Sequence, residues 1–197
     1  MFHLSEESQR LLMGDEDLGR PDCLPSSWTE TTTNDGLVQH LIALYFCWEY
    51  PTFASLSREH FLVDYRSGKH RFCSPLLVNA ILAIGARFSD LPQAFKNPNE
   101  PTSAGQRFFE EAQRLFGLEE VPSLTTLQAL GLMSLRQASR GNDVSSWHYS
   151  RLAMRMAIDL DLHKDEASLV DPKDDTYSFP ERQVRAATFW GCWTLEQ

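Results

Sequence analysis

From Asn34 onward, apolar side chains return every third or fourth residue, the spacing of one face of an α-helix. Asn34 or Asp35 is placed to cap the first helix, and Leu37, Leu41, Leu44, Tyr45 and Trp48 follow along it. Pro51 ends the run, and Tyr50, as the residue before a proline, is predicted to leave helical geometry. A second helix begins at Ser57, with Leu56 and Phe61 at staple positions, and closes near Gly68. Ser74-Pro75 is the clearest start signal, because serine caps and proline loses no hydrogen bond at the first helical position. Leu77, Ala80, Ile81, Ile84 and Phe88 form the stripe of that third helix. Pro92, Pro98 and Pro101 mark a loop before a fourth helix over 103–116. Ser123 caps a fifth, which closes at Gly141; Asp143 caps a sixth, with Trp147, Arg151, Met154 and Ile158 spaced four, three and four apart. A polar loop over 163–178 precedes a last helix that opens at Pro180 and lines Val184, Ala187, Gly191 and Leu195 along one face. No alternating apolar run with hairpin turns occurs, so strands are not predicted. The pattern predicts an all-α fold, a stacked helical bundle of about seven helices. No constant repeat period supports a regular array.

Residues 1–33 differ in texture. Gly14, Gly19, Pro21 and Pro25 punctuate them, and four threonines lie between 29 and 33. Eight of the 27 acidic residues, against two basic ones, fall within 1–35, so the net charge of -9 is concentrated there. This stretch reads as an acidic, disordered tail or linker, with room for a short amphipathic turn around Leu4, Leu11 and Leu12; the alternative is an acidic–apolar tail that binds a partner, and the helical domain is set at 34–197. The body carries no Lys/Arg stripe for phosphate contacts, so direct nucleic-acid binding by these residues is not expected.

Cys23, Cys47, Cys73 and Cys192 form no C-x-x-C pair, and Cys47 and Cys192 sit in apolar stretches as small hydrophobes do. There is no basic-then-apolar leader, and no apolar run of membrane-spanning length; the chain reads as soluble and intracellular.

Several constellations invite chemistry. Trp147, His148, Tyr149, Arg151, Met154 and Arg155 form the richest cluster. They read either as an effector or partner pocket or as core packing with His148 and Arg155 at the edge; aromatic stripes more often belong to cores, and that reading is preferred. Asp159, Asp161 and His163 suggest a metal, but a spacing of two turns the aspartates to different faces, and His163 fits the cation position at a helix end. His60, His70 and Cys73 lack a fourth zinc ligand. Asp171, Asp174 and Asp175 lack the glycine and closing glutamate of a calcium loop. Glu110-Glu111 and Glu119-Glu120 point apart and read as solvated faces. No nucleophile elbow and no glycine-rich phosphate loop is present. No residue is therefore assigned a catalytic, cofactor, metal or DNA-binding role, and the chain is not expected to be an enzyme.

Four blocks stand out in order: LVQHLIALYFCWEYPTFASLSREHFLVDY, SPLLVNAILAIGARFS, SLTTLQALGLMSLRQASRGNDVSSWHYSRLAMRMAIDLDLHKD and ERQVRAATFWGCWTLEQ. Together they resemble the fungal-specific transcription factor domain, the xylanolytic-activator regulatory or middle homology region of binuclear zinc-cluster transcription factors. VRAATFWGCWTLEQ resembles the nitrate-regulator type of filamentous fungi. The resemblance implies a regulator of DNA-templated transcription, located in the nucleus, with protein co-regulators or a small inducer as partners. The family's DNA and zinc binding reside in a six-cysteine module that four scattered cysteines cannot form. The resemblance also implies a further loop and helices beyond the fourth block. The chain thus reads as a fragment, a truncated product or a short paralogue, C-terminally incomplete, and the last helix is predicted to show an unfinished apolar face. The alternative is a stand-alone helical protein–protein adaptor without a DNA role.

Overall fold

The computed structural model describes residues 24–119, 121–164 and 178–195. Among them are seven α-helices and no strand; one isolated antiparallel bridge joins Phe95 and Ala104. The predicted all-α class stands. The helices fall into two compact units: 24–52 with Arg58–Glu119, and Phe53–Ser57 with 121–195.

In the first unit, α1 (Asp35–Leu44), α2 (Arg58–Ser67) and α4 (Gln106–Phe116) accompany α3 (Pro75–Gly85). The caps fall where the sequence puts them. Asn34 accepts from Leu37 N at 3.0 Å and Ser74 from Leu77 N at 3.2 Å, each satisfying an orphan donor of the first turn. α3 is buried all round, from Leu76 to Gly85, rather than along one stripe. Its sequence allows this because nothing in LLVNAILAIG is charged and its single polar side chain is bonded. Asn79 accepts from Thr29 Oγ1 at 2.7 Å and donates to the Pro75 and Trp28 carbonyls. Close backbone approach demands glycine twice. A Cβ on Gly85 would overlap the Leu41 carbonyl of α1, and one on Gly105 the Ala83 carbonyl of α3. Gly105 also has φ +66, the left-handed region.

Two local expectations are corrected. Residues 24–33, expected within the linker, contribute a short 3₁₀ turn, Pro25–Trp28. Trp28 is buried there, its indole N–H donating to the Tyr65 carbonyl at 3.0 Å. An apolar body with one satisfied donor is enough to anchor the segment. Tyr50 does not leave helical geometry; it sits at φ -54, ψ -38. α1 widens instead into a π-turn over Tyr45–Glu49, and Tyr50 N bonds the Tyr45 carbonyl at 3.0 Å, so Tyr50 closes the widened turn in helical geometry directly before Pro51. Burial holds the Tyr45 phenol well above its usual range, and burial also raises the Glu49 carboxyl against the opposing pull of Arg87 at 3.5 Å.

The second unit contains α5 (Leu124–Ala138), α6 (Asp143–Asp159) and α7 (Phe179–Thr194), with the extended segment Phe53–Ser57 against α7. Ser123 caps α5, accepting from Thr126 N at 3.1 Å. Asn142, not Asp143, occupies the cap position of α6, its side chain donating to Gln137 Oε1 at 3.1 Å rather than capping; Asp143 is the first helical residue, where its charge suits the dipole. A Cβ on Gly191 would lie 2.6 Å from Ser55 Cβ, so α7 approaches this segment as only glycine permits. No described helix is long and apolar enough to cross a membrane.

Candidate functional site

The second unit concentrates the side chains that sequence reasoning singled out, and its α5–α6 seam decides which of them face outward. Ser146, Ser150, Ala153 and Ala157 occupy one side of α6 and are buried. Their spacings of four, three and four keep them on one face. Ser134 of α5 donates to the Ser146 carbonyl at 2.9 Å, and Ser146 Oγ donates to the Ser134 carbonyl at 3.0 Å. Small and hydroxyl side chains let the two helices approach closely, so the bulky residues on the opposite side of α6 are left outside. Val144 is 81% exposed, Trp147 63% and Ile158 51%.

This corrects the core reading of the 147–155 cluster. Tyr149 is buried, but Trp147, His148, Arg151 and Arg155 lie on the outward side. The aromatic count favoured a core; the small-residue seam on the other side of the helix overrides it. Val144, Trp147, His148, Arg151, Leu152 and Arg155 line a shallow groove of about 390 Å³. The Arg151 guanidinium has no hydrogen-bond or ion-pair partner among the described residues. Arg155 reaches Asp159 only at 3.8 Å, with both side chains largely in solvent, where such a pair is worth about 0.3–0.5 kcal/mol.

The unit is closed by buried polar bonds. Gln128 of α5 donates to Thr188 of α7 at 2.9 Å, and the Thr188 hydroxyl lies within reach of the Ser55 and Val184 carbonyls, at 3.1 and 2.8 Å. Arg185 donates to the Leu160 carbonyl at 2.8 Å, placing a cation at the C-terminal end of α6. Val184, Thr188 and Cys192 are buried along α7, and burial pushes the Cys192 thiol up to about 12. Ala187, Gly191 and Leu195 are half-buried. Trp190 and Trp193 stand about half exposed on α7, beside Phe189.

The remaining candidates separate. Asp161 ends α6 in the left-handed region at φ 57, its N–H bonding the Ile158 carbonyl, while Asp159 faces Arg155 and His163 is exposed. His60 packs edge-on to Phe72, His70 packs against Trp28, and Cys73 is buried. Among the described residues no three of His, Cys, Asp and Glu gather as metal ligands do. Glu110 takes Lys96 at 2.6 Å and Glu111 takes Arg114 at 2.7 Å, so the adjacent carboxylates serve different cations. Hydrogen bonding to Glu111 holds the Arg114 guanidinium above its usual range. A second groove, of about 330 Å³, lies in the first unit between Thr31, Leu37, Gln93 and Phe108; its Arg107 is engaged with the Lys96 carbonyl. Leu4, Leu11, Leu12, Cys23, Glu120, Asp171, Asp174 and Asp175 lie outside the described residues.

Comparison with known proteins adds what geometry alone does not supply. The family described as the fungal specific transcription factor domain matches residues 42–197. The chain is 42% identical over 174 residues to the nitrogen assimilation transcription factor nirA of Emericella nidulans, covering 86% of this chain and 19% of that protein. It is 41% identical over 182 residues to the nitrogen assimilation transcription factor nit-4 of Neurospora crassa, covering 87% of this chain and 16% of that protein. It is 37% identical to the notoamide biosynthesis transcriptional activator notL' of Aspergillus versicolor, over 68% of this chain and 21% of that protein. The chain thus spans at most about a fifth of the length of these relatives. No solved structure matches it.

Proposed function

Because the chain belongs to the fungal specific transcription factor domain family, we propose that it is a regulatory segment of a nuclear, zinc-cluster transcription factor that responds to nitrogen source. The observation that carries this is an identity of 41–42% sustained over 86–87% of the chain with two nitrogen assimilation transcription factors. DNA contact and zinc belong to a six-cysteine module that these residues do not contain. The segment's own part is binding rather than turnover: its outward groove on α6 and the half-exposed tryptophans of α7 suit protein co-regulators or a small inducer. A contact surface of this kind biases a DNA-bound factor only where the bound ligand favours one of two states of the larger protein.

The test tethers residues 1–197 to a heterologous DNA-binding module in a filamentous fungus that carries a matching reporter. The expected result is reporter output that changes with the nitrogen source, relative to the module alone. Output identical to that of the module alone under every nitrogen source contradicts the proposal.

A further inference from the structure

The segment just before α1 is held in the first unit as a peptide ligand is held in a site. Trp28 stacks on Tyr65 with ring centroids 6.1 Å apart, meets the His70 ring at 5.0 Å, and donates its indole N–H to the Tyr65 carbonyl at 3.0 Å. Asn79 of α3 accepts from the Thr29 hydroxyl at 2.7 Å and donates to the Trp28 carbonyl at 3.3 Å. Asp35, in the first turn of α1, accepts from the Ser26 N–H at 2.8 Å. Pro25, Trp28 and Thr29 are buried, while Leu24, Ser27 and Glu30 stand exposed. The groove therefore reads the side chains of Trp28 and Thr29 and the backbone of Ser26 and Trp28, and leaves the positions between them open. Asn79 is the telling residue. It is fully buried in an otherwise apolar helix, and among the described residues only Thr29 engages its side-chain oxygen. An amide buried there costs free energy unless it is bonded, so its presence favours an occupant that brings a hydroxyl and a backbone carbonyl. The segment is also separable. Thr33 and Asn34 behind it are exposed, and α1 is capped by Asn34, so the segment can leave without unwinding α1.

We propose that this groove, formed by Asp35, Tyr65, His70 and Asn79, is a peptide-docking site that residues 25–29 occupy in cis. A partner protein enters it with a segment of the same chemistry: proline, two tolerant positions, tryptophan, then threonine or serine. The site selects tryptophan over phenylalanine, because a phenyl ring brings no donor to the Tyr65 carbonyl in a buried place. It selects a hydroxyl over valine, which would strand the Asn79 oxygen. Tethering gives the cis segment an effective concentration on the order of millimolar, so it sets a threshold that a partner passes by adding contacts beyond these residues. A second copy of the chain adds none, since exchange of the segment between copies only remakes the bonds it breaks. The site lies in the first unit and does not depend on the regulatory reading of the chain.

The test is fluorescence anisotropy with a labelled synthetic peptide of the sequence of residues 24–33, titrated with the 197-residue chain. The chain carrying Trp28→Ala, whose groove is vacated, should bind the peptide saturably, and the parent chain at least about tenfold more weakly. Phenylalanine in place of the peptide's tryptophan, or valine in place of the threonine after it, should each weaken binding about tenfold. In the chain carrying Trp28→Ala with Asn79→Leu, the valine peptide should bind at least as well as the threonine peptide, an inversion that loss of structure does not produce. No saturable binding to a Trp28→Ala chain that keeps the parent's circular dichroism spectrum, or equal affinity for a scrambled peptide, overturns the proposal. Where Trp28→Ala unfolds the chain, a protease recognition sequence inserted at Thr33 decides. After folding and cleavage the labelled peptide should replace the released segment, and a cleaved chain that takes up no peptide contradicts the docking site. So does sedimentation showing a dimer of the parent chain that Trp28→Ala dissociates, because the occupant would then be a second copy.

Discussion

Helices α3 and α6 handle hydrophobic surface in opposite ways. α3 sinks every residue from Leu76 to Gly85 into the first unit, and its one polar side chain, Asn79, is bonded on both ends. α6 buries Ser146, Tyr149, Ser150, Ala153 and Ala157, and turns Val144, Trp147 and Ile158 to solvent. The first arrangement gains its stability from apolar area removed from water. The second gains less from each side chain and relies on close approach and on bonds such as Ser134 to Ser146. A helix that stabilises its unit through small residues leaves its large ones available for contact. On the proposed regulatory reading, α6 is the helix with apolar surface free for a partner and α3 is scaffold.

The contrast can be broken by substitution, and the largest effect is expected in the scaffold. Gly105→Ala puts a side chain in the left-handed region and against the Ala83 carbonyl of α3; urea unfolding should show a loss of about 3 kcal/mol or more. Next comes the seam of α6, where Ala153→Leu overfills a fully buried position; the same assay should show a loss of about 1–3 kcal/mol. Thr188→Val keeps shape but leaves the Gln128 amide without its acceptor in a buried site, and thermal unfolding should register roughly 1–2 kcal/mol. The smallest change belongs to the largest side chain: Trp147→Ala should alter stability by no more than about 0.5 kcal/mol, because the indole stands mostly in water. Were Trp147→Ala to cost as much as Ala153→Leu, α6 would be oriented the other way round.

Much of this architecture is legible in the chain. Asn34, Ser74 and Ser123 announce helix starts because a side-chain acceptor before an apolar run has a definite partner, the third N–H onward. Gly68 and Gly141 mark helix ends, since both adopt the left-handed region. The orientation of α6 was less legible, because aromatic content points toward a core while helix-to-helix distance is set by the smallest residues on a face. The signal lay in Ser146, Ser150, Ala153 and Ala157, whose spacing marks a close-packed seam more firmly than Trp147 marks a core. Trp28 escaped for a different reason: one anchor within a polar, threonine-rich stretch has no periodicity to announce it. The π-turn at Tyr45–Glu49 could not be read either, since a single widened turn leaves no mark on the apolar spacing.

Hydroxyl-radical footprinting of the folded 197-residue chain, read tryptophan by tryptophan by mass spectrometry, addresses the central claim most directly. Trp147 should be modified rapidly and Trp28 should be protected until the chain is unfolded, with Trp190 and Trp193 between them. Protection of Trp147 equal to that of Trp28 in the isolated folded chain would contradict the account, because α6 would then have no apolar face left to offer.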